Sequence, residues 1–172
     1  MDAKVSHQPT ARHVALPCRG GEMAFLDFGP QDRPVDVVFS HANGFNARTY
    51  RTILEPLAGE MRIFAIDLRG HGASTLPTLI EGRAGWTEME DDLLAFLAAA
   101  SEGPVILAGH SMGATTSLLA AAAEPGRVRR LTLFDPVIMP KEALAAPEAI
   151  AESPLVQGAL RRRASFPSHN AA

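Results

Sequence analysis

Apolar residues follow two rhythms along this chain. The runs at 13–16 and 23–28 are short and apolar, and Gly20-Gly21 between them permits positive φ at a turn, so they predict an N-terminal β-hairpin. Runs at 35–39, 61–66, 104–108 and 128–134 are β-branched or apolar and bounded by turn residues, as strands buried on both faces are. Between them the period becomes helical. Tyr50, Ile53, Leu54 and Leu57 fall at i, i+3, i+4 and i+7 behind Asn46 as N-cap, with Pro56 limiting the regularity of the helix. Trp86, Met89, Leu93, Phe96 and Leu97 repeat the stripe, and Thr87 and Glu90 have the spacing of a capping box. A third helix starts near Ser111, continues through 118–123 and closes at Pro125-Gly126. Strands alternating with helices after a hairpin predict an α/β fold: a mostly parallel sheet of about six strands with flanking helices and right-handed crossovers. From Pro136 onward Ala, Pro and Glu dominate and no strand-like run follows, which divides the chain into a core over 1–136 and a further segment over 137–172.

Composition narrows the function classes. With 172 residues, 47% hydrophobic and 20% charged, the chain reads as an ordinary globular unit able to bury a core without disulfides or metal. Sixteen basic against 19 acidic side chains, a net charge of -3, argue against a protein that binds nucleic acid by neutralising phosphates. The single basic run, Arg161-Arg162-Arg163, reads as a solvated helix face. One cysteine, Cys18, makes no internal bridge and fits a reducing compartment. The first ten residues lack the apolar core of a signal peptide, and the greasy stretch at 93–100 is too short to span a bilayer. The expectation is a cytoplasmic protein with no membrane partner. No H-E-x-x-H or C-x-x-C occurs, so neither a metal nor another cofactor is expected.

Candidate chemistry centres on Gly109-His110-Ser111-Met112-Gly113, a G-x-S-x-G sequence that follows a predicted strand and opens a predicted helix. A serine at the tip of so sharp a turn brings neighbouring backbone too close for side chains at 109 and 113. The helix that starts there aims its N–H groups and positive dipole end at the reacting centre, favouring an oxyanion beside Ser111. A second loop, Ser40-His41-Ala42-Asn43-Gly44-Phe45, follows the third strand, where a backbone N–H can complement that of the residue after the nucleophile. Asn43 and Met112 are the expected donors. His41, Phe45 and His110 lie at the same edge and are the expected substrate contacts. Asp67-Leu68-Arg69-Gly70-His71-Gly72-Ala73-Ser74 leaves the fourth strand; Thr75 stands where a dinucleotide fingerprint needs glycine, which removes a Rossmann reading.

HANGF, DLRGHGAS and GHSMGA, in this order and between these strands, resemble the α/β-hydrolase superfamily, specifically its cap-bearing esterase, lipase and haloperoxidase-like group, over about residues 12–140. The resemblance implies a Ser111 nucleophile, an oxyanion hole at Asn43 and Met112, a structural turn from Asp67 to Gly72, and the start of a cap over 137–172. Ala42 departs from the glycine usual in the first motif, and Leu68 separates Asp67 from Arg69. Serine, where relatives cleaving carbon–halogen bonds or epoxides carry aspartate, implies acyl chemistry on a small ester or related acyl substrate.

The order Ser, then acid, then His expected of this group is incomplete in the chain. Of the six histidines, His7 and His13 lead the chain, His41 and His71 belong to loop motifs and His110 lies inside the elbow; His169 lies downstream of Ser111 with no strand before it. Asp135, at the end of the sixth strand, is a candidate acid, its bland alternative being a carboxylate that caps nearby backbone N–H groups. The expectation is therefore a truncated α/β-hydrolase fold with weak or no activity. Alternatives are an acyltransferase, or a short non-catalytic protein that pairs, or self-associates, through its open sheet edge.

Overall fold

In the computed structural model, which describes residues 8–78, 86–140, 152, 154–161 and 167–168, the N-terminal hairpin consists of β1 (Thr10–Leu16) and β2 (Gly21–Phe28), with Leu16 opposite Gly21. Its connection is longer than the predicted glycine pair. Pro17, whose ring presets helical φ, starts a 3-10 turn over Pro17–Arg19, and Gly20 alone takes positive φ, 77°, to end it.

The remaining strands are β3 (Val37–Ser40), β4 (Ile63–Ile66), β5 (Val105–His110) and β6 (Val128–Phe134), joined in the order β1-β2-β4-β3-β5-β6. β4, β3, β5 and β6 run parallel, and β2 pairs antiparallel with both β1 and β4. The α/β architecture is thus a six-stranded, mostly parallel sheet with flanking helices. β3 and β4 begin two residues later than their apolar runs; Val35-Asp36 and Met61-Arg62 lead into the strands, with the Asp36 N–H donating to the Arg62 carbonyl at 2.9 Å.

Alternation along the strands separates two cores. Phe25, Val38, Phe64, Ile66 and Leu107 face one layer with α2 (Thr87–Ala100) and α3 (Met112–Ala123), whereas Leu26, Val37, Phe39, Ile63 and Ala65 face the other with Tyr50 and Leu54. The segment carrying Tyr50 and Leu54 is a composite: a 3-10 turn (Ala47–Tyr50), α1 (Arg51–Leu54) and a second 3-10 turn (Glu55–Leu57) at Pro56. Asn46 caps it, its side chain accepting from the Thr49 N–H at 3.3 Å. The expected Thr87–Glu90 capping box does not form. Trp86 occupies the N-cap, so Thr87 is already helical, and Glu88 and Glu90 serve the first turn by charge instead.

Residues 1–137 form one compact unit and 138–172 a second, in which α4 (Pro154–Leu160) is the described helix. Arg161 follows it, exposed, its Nε donating to the Gln157 carbonyl at 3.0 Å. His7, Arg162, Arg163 and His169 lie outside the described residues, as do most of the expected cap residues. Among the described residues no helix is long and apolar enough to cross a membrane.

Candidate active site

Strand register brings the chemistry to one edge. Ser40 pairs with both Ile66 and Gly109, and His110 pairs with Phe134, so the loops beginning at His41, Asp67, Ser111 and Asp135 all leave the carboxyl ends of adjacent parallel strands. Ser111 stands between β5 and α3 at φ 52°, ψ -115°, a conformation L residues avoid. Its own N–H donates to the Phe134 carbonyl at 2.9 Å and its carbonyl accepts from the Thr115 N–H at 3.1 Å, so both neighbouring elements hold the strained turn.

The flanking glycines fill the role expected of them. A Cβ on Gly109 would lie 2.5 Å from the Gly113 carbonyl carbon, and one on Gly113 would meet the Ser40 carbonyl and lie 2.6 Å from the His41 oxygen. These are backbone collisions at a close approach of α3 to β3. Met112, buried, opens α3, where no preceding helical carbonyl can accept its N–H. Asn43 is exposed on the facing loop, and its side-chain oxygen lies 3.3 Å from His71 Nε2.

His41 requires a correction. Expected as a substrate contact, it is fully buried, with its Nε2 accepting from the Leu68 N–H at 3.0 Å and its Nδ1–H donating to the Ala42 carbonyl at 2.8 Å. Both ring nitrogens serve backbone, and burial pushes the imidazole down to about 4, keeping it neutral. It joins the loop after β3 to the turn after β4. His71 does similar work one layer out: Nδ1–H donates to the Arg69 carbonyl at 2.9 Å and Nε2 accepts from the Gly44 N–H at 3.0 Å. Phe45 is 41% exposed and remains available at the edge, while His110 is half-buried with Nδ1 2.7 Å from the Tyr50 hydroxyl.

Asp135 shares with Ser111 the distinction of positive φ, 47°, among described non-glycine residues. Asp135 is exposed, and its carboxylate accepts no hydrogen bond from a described residue. No histidine nitrogen among the described residues bonds the Ser111 hydroxyl. Nor is any group of three His, Cys, Asp or Glu side chains among them placed to hold a metal ion.

Sequence reading missed a polar scaffold beneath these loops. Asp67 accepts from the Ala47 N–H at 2.8 Å and the Ala73 N–H at 2.9 Å, tying both loops to its own strand end. Arg69, buried, forks onto Asp92 of α2 at 2.6 and 2.7 Å, and Arg19 reaches the same carboxylate at 2.7 Å. Only the helical position of Asp92, within the buried stripe beside Leu93, could have signalled this partner.

A model of the alpha/beta hydrolase family matches residues 37–171. The chain is 34% identical over 115 residues to a 2-(acetamidomethylene)succinate hydrolase of Mesorhizobium japonicum, covering 66% of this chain and 40% of that one. It is 33% identical over 113 residues to the lipase LipV of Mycobacterium tuberculosis, covering 64% and 40%. A crystal structure of a hypothetical protein from Pseudomonas aeruginosa superposes with a TM-score of 0.68 at 33% identity, over 93% of this chain and 56% of that one. The chain thus spans about 40% of the length of these curated relatives.

Proposed function

The chain belongs to the α/β hydrolase family, and from that premise we propose that Ser111 is the nucleophile of a hydrolase acting on a small carboxylic ester or related acyl compound. The observation that carries this reading is the strained Ser111 backbone, held at the head of α3 with Asn43 on the loop facing it. Strain of this kind costs about 1–3 kcal/mol and persists only where the surroundings enforce it.

The hydroxyl oxygen attacks the acyl carbon and its proton leaves to a base or water. Charge collects on the former carbonyl oxygen, which the Asn43 and Met112 N–H groups receive with the positive end of α3 behind them. Collapse breaks the bond to the alcohol, which departs with a proton, and water then hydrolyses the acyl-enzyme to acid and free serine. Asp135 is our candidate for the acid that would orient an imidazole, being the residue that leaves β6 beside Ser111. Without an imidazole on Ser111, acylation would fall near the residual about 10³–10⁴ over water that binding and an oxyanion hole provide. The names of the two curated relatives, a hydrolase and a lipase, support the reaction class.

Incubation of the 172-residue chain with p-nitrophenyl acetate, followed by peptide mass spectrometry, should place one acetyl group on Ser111, and Ser111→Ala should abolish it. Acetylation elsewhere, or none, refutes the assignment. Given an added alcohol, a transferase would release ester in place of acid.

A second reading rests on β6, whose outer edge has no neighbouring strand among the described residues and whose Phe134 is 56% exposed. Pairing of two copies through that edge is expected to give concentration-dependent dimers in size-exclusion chromatography; a monomer at all concentrations excludes it.

A further inference from the structure

We infer that Tyr50 is a positioning residue whose phenol sets the separation between the Asn43 and Met112 N–H groups, an inference that rests on the serine-hydrolase reading above. Tyr50 ends the first 3-10 turn after the Asn43 loop, on the far side of the sheet from α3. Its ring is 7% exposed and rests on Phe39 at 4.6 Å between centroids, with Phe45 at 6.1 Å and His110 at 6.0 Å.

The phenolic oxygen joins two loops. It accepts the Ala42 N–H at 3.1 Å and lies 2.7 Å from His110 Nδ1. On this inference the phenol, whose oxygen accepts from Ala42, gives its proton to Nδ1, and the His110 proton sits on Nε2. The relay is Ala42 N–H to Tyr50 oxygen, and Tyr50 O–H to His110 Nδ1. Ala42 is the residue before Asn43, and His110 is the residue before Ser111. One side chain therefore holds the peptide N–H just before Asn43 and the side chain just before Ser111, two residues ahead of Met112. Ala42 is buried, so without the phenol its N–H loses a partner that water cannot replace at no cost.

Close approach of Gly113 to Ser40 fixes α3 against β3 on one side of the sheet. Tyr50 fixes the loop against the elbow on the other. The two constraints act from opposite layers of the sheet, and together they hold two N–H groups toward one oxygen.

Tyr50→Phe keeps the ring and its packing while removing both hydrogen bonds. With p-nitrophenyl acetate and the 172-residue chain, the maximal rate of Ser111 acetylation should fall about 10- to 100-fold at unchanged half-saturation. His110→Ala should fall similarly, and the double variant should fall no further than either single one, since both cut one relay. Histidine ¹⁵N spectra should show His110 protonated on Nε2 in the parent and a mixed tautomer in Tyr50→Phe, with the amide spectrum otherwise preserved. Parent acetylation at Ser111 with an unchanged rate in Tyr50→Phe overturns the inference and leaves the hydrolase reading standing. Additive losses, or a His110 proton on Nδ1 in the parent, overturn it too. Absence of Ser111 acetylation in the parent removes the hydrolase reading, and the inference falls with it.

Discussion

Replacing Gly113 with alanine separates catalytic geometry from stability. The added Cβ would lie 2.6 Å from the His41 oxygen and closer still to the Ser40 carbonyl, where ordinary contact begins at 3.4 Å. Both obstacles are backbone, and β3 is pinned between β4 and β5, so the first turn of α3 must retreat by about 0.8 Å or more. Overpacking a filled site costs about 1–3 kcal/mol, and the better helix propensity of alanine over glycine returns about 1 kcal/mol. The net loss expected in urea unfolding is about 0–2 kcal/mol. Ser111 and Met112 ride on the displaced turn while Asn43 stays with β3, and a misplacement near 1 Å costs about 100-fold in rate. Acetylation of Ser111 should therefore suffer more than stability does. Gly126→Ala, at a position with open space around it, is the control and should move neither measurement appreciably. A Gly113→Ala protein as stable as the parent and acetylated at the parent rate would refute the close approach and the argument built on it.

Asp92→Ala strips the partner from Arg69, which is 5% exposed, and from Arg19, so unfolding free energy should drop by about 3–5 kcal/mol; a loss below 1 would show that the pair holds nothing. His41 gives a pH signature: between its ordinary value of 6.5 and its folded value of about 4 the unfolded chain binds a proton that the folded chain refuses, so stability falls as pH falls through that window. The decline attributable to this ring is about 3 kcal/mol, and His41→Gln, compared by urea unfolding at pH 4 to 7, should flatten it; an identical slope in both proteins would refute the assignment. Ser117→Ala should be neutral or stabilising by up to about 1 kcal/mol, because its hydroxyl is buried without a partner among the described residues. Thermal unfolding checks this, and a clear destabilisation would reveal a bond the structure lacks.

Features set by short-range pattern were legible in the sequence. The parallel strands declared themselves as apolar runs, and the elbow announced itself because a strand, a glycine-flanked serine and a small-residue helix occur consecutively. Boundaries shifted where a side chain competed with the pattern: the Asp36 carboxylate accepts the Arg62 N–H at 2.9 Å, just ahead of where β3 and β4 begin. Tyr50 counted correctly as an apolar position on a helical stripe, yet its hydroxyl bonds residues 8 and 60 positions away in the chain, and no local period encodes such a distance. His41 misled for the converse reason. Adjacency to a loop of chemical interest says nothing about which way an imidazole turns, and the Leu68 N–H that captures it belongs to another strand end.

Polar residues buried behind this edge explain why the loops can be short and irregular yet held. A loop leaving a parallel strand exposes N–H groups that no ladder satisfies, and in the interior each costs about 1–3 kcal/mol if left bare. Here side chains of the same edge meet them: Asp67 takes Ala47 and Ala73, His41 takes Leu68, His71 takes Gly44, and Tyr50 takes Ala42. The bonds of Asp67 to Ala47, His41 to Leu68 and His71 to Gly44 cross between the ends of β3 and β4, so neither loop can move without unsatisfying the other. Among the described residues the hydroxyls of Ser40 and Ser117 are buried without a partner, and Ser40 lies where the backbone of β3 meets Gly113 of α3. At that contact small size outweighs hydrogen bonding, because a Cβ on Gly113 would already collide with the Ser40 carbonyl and push the two backbones apart.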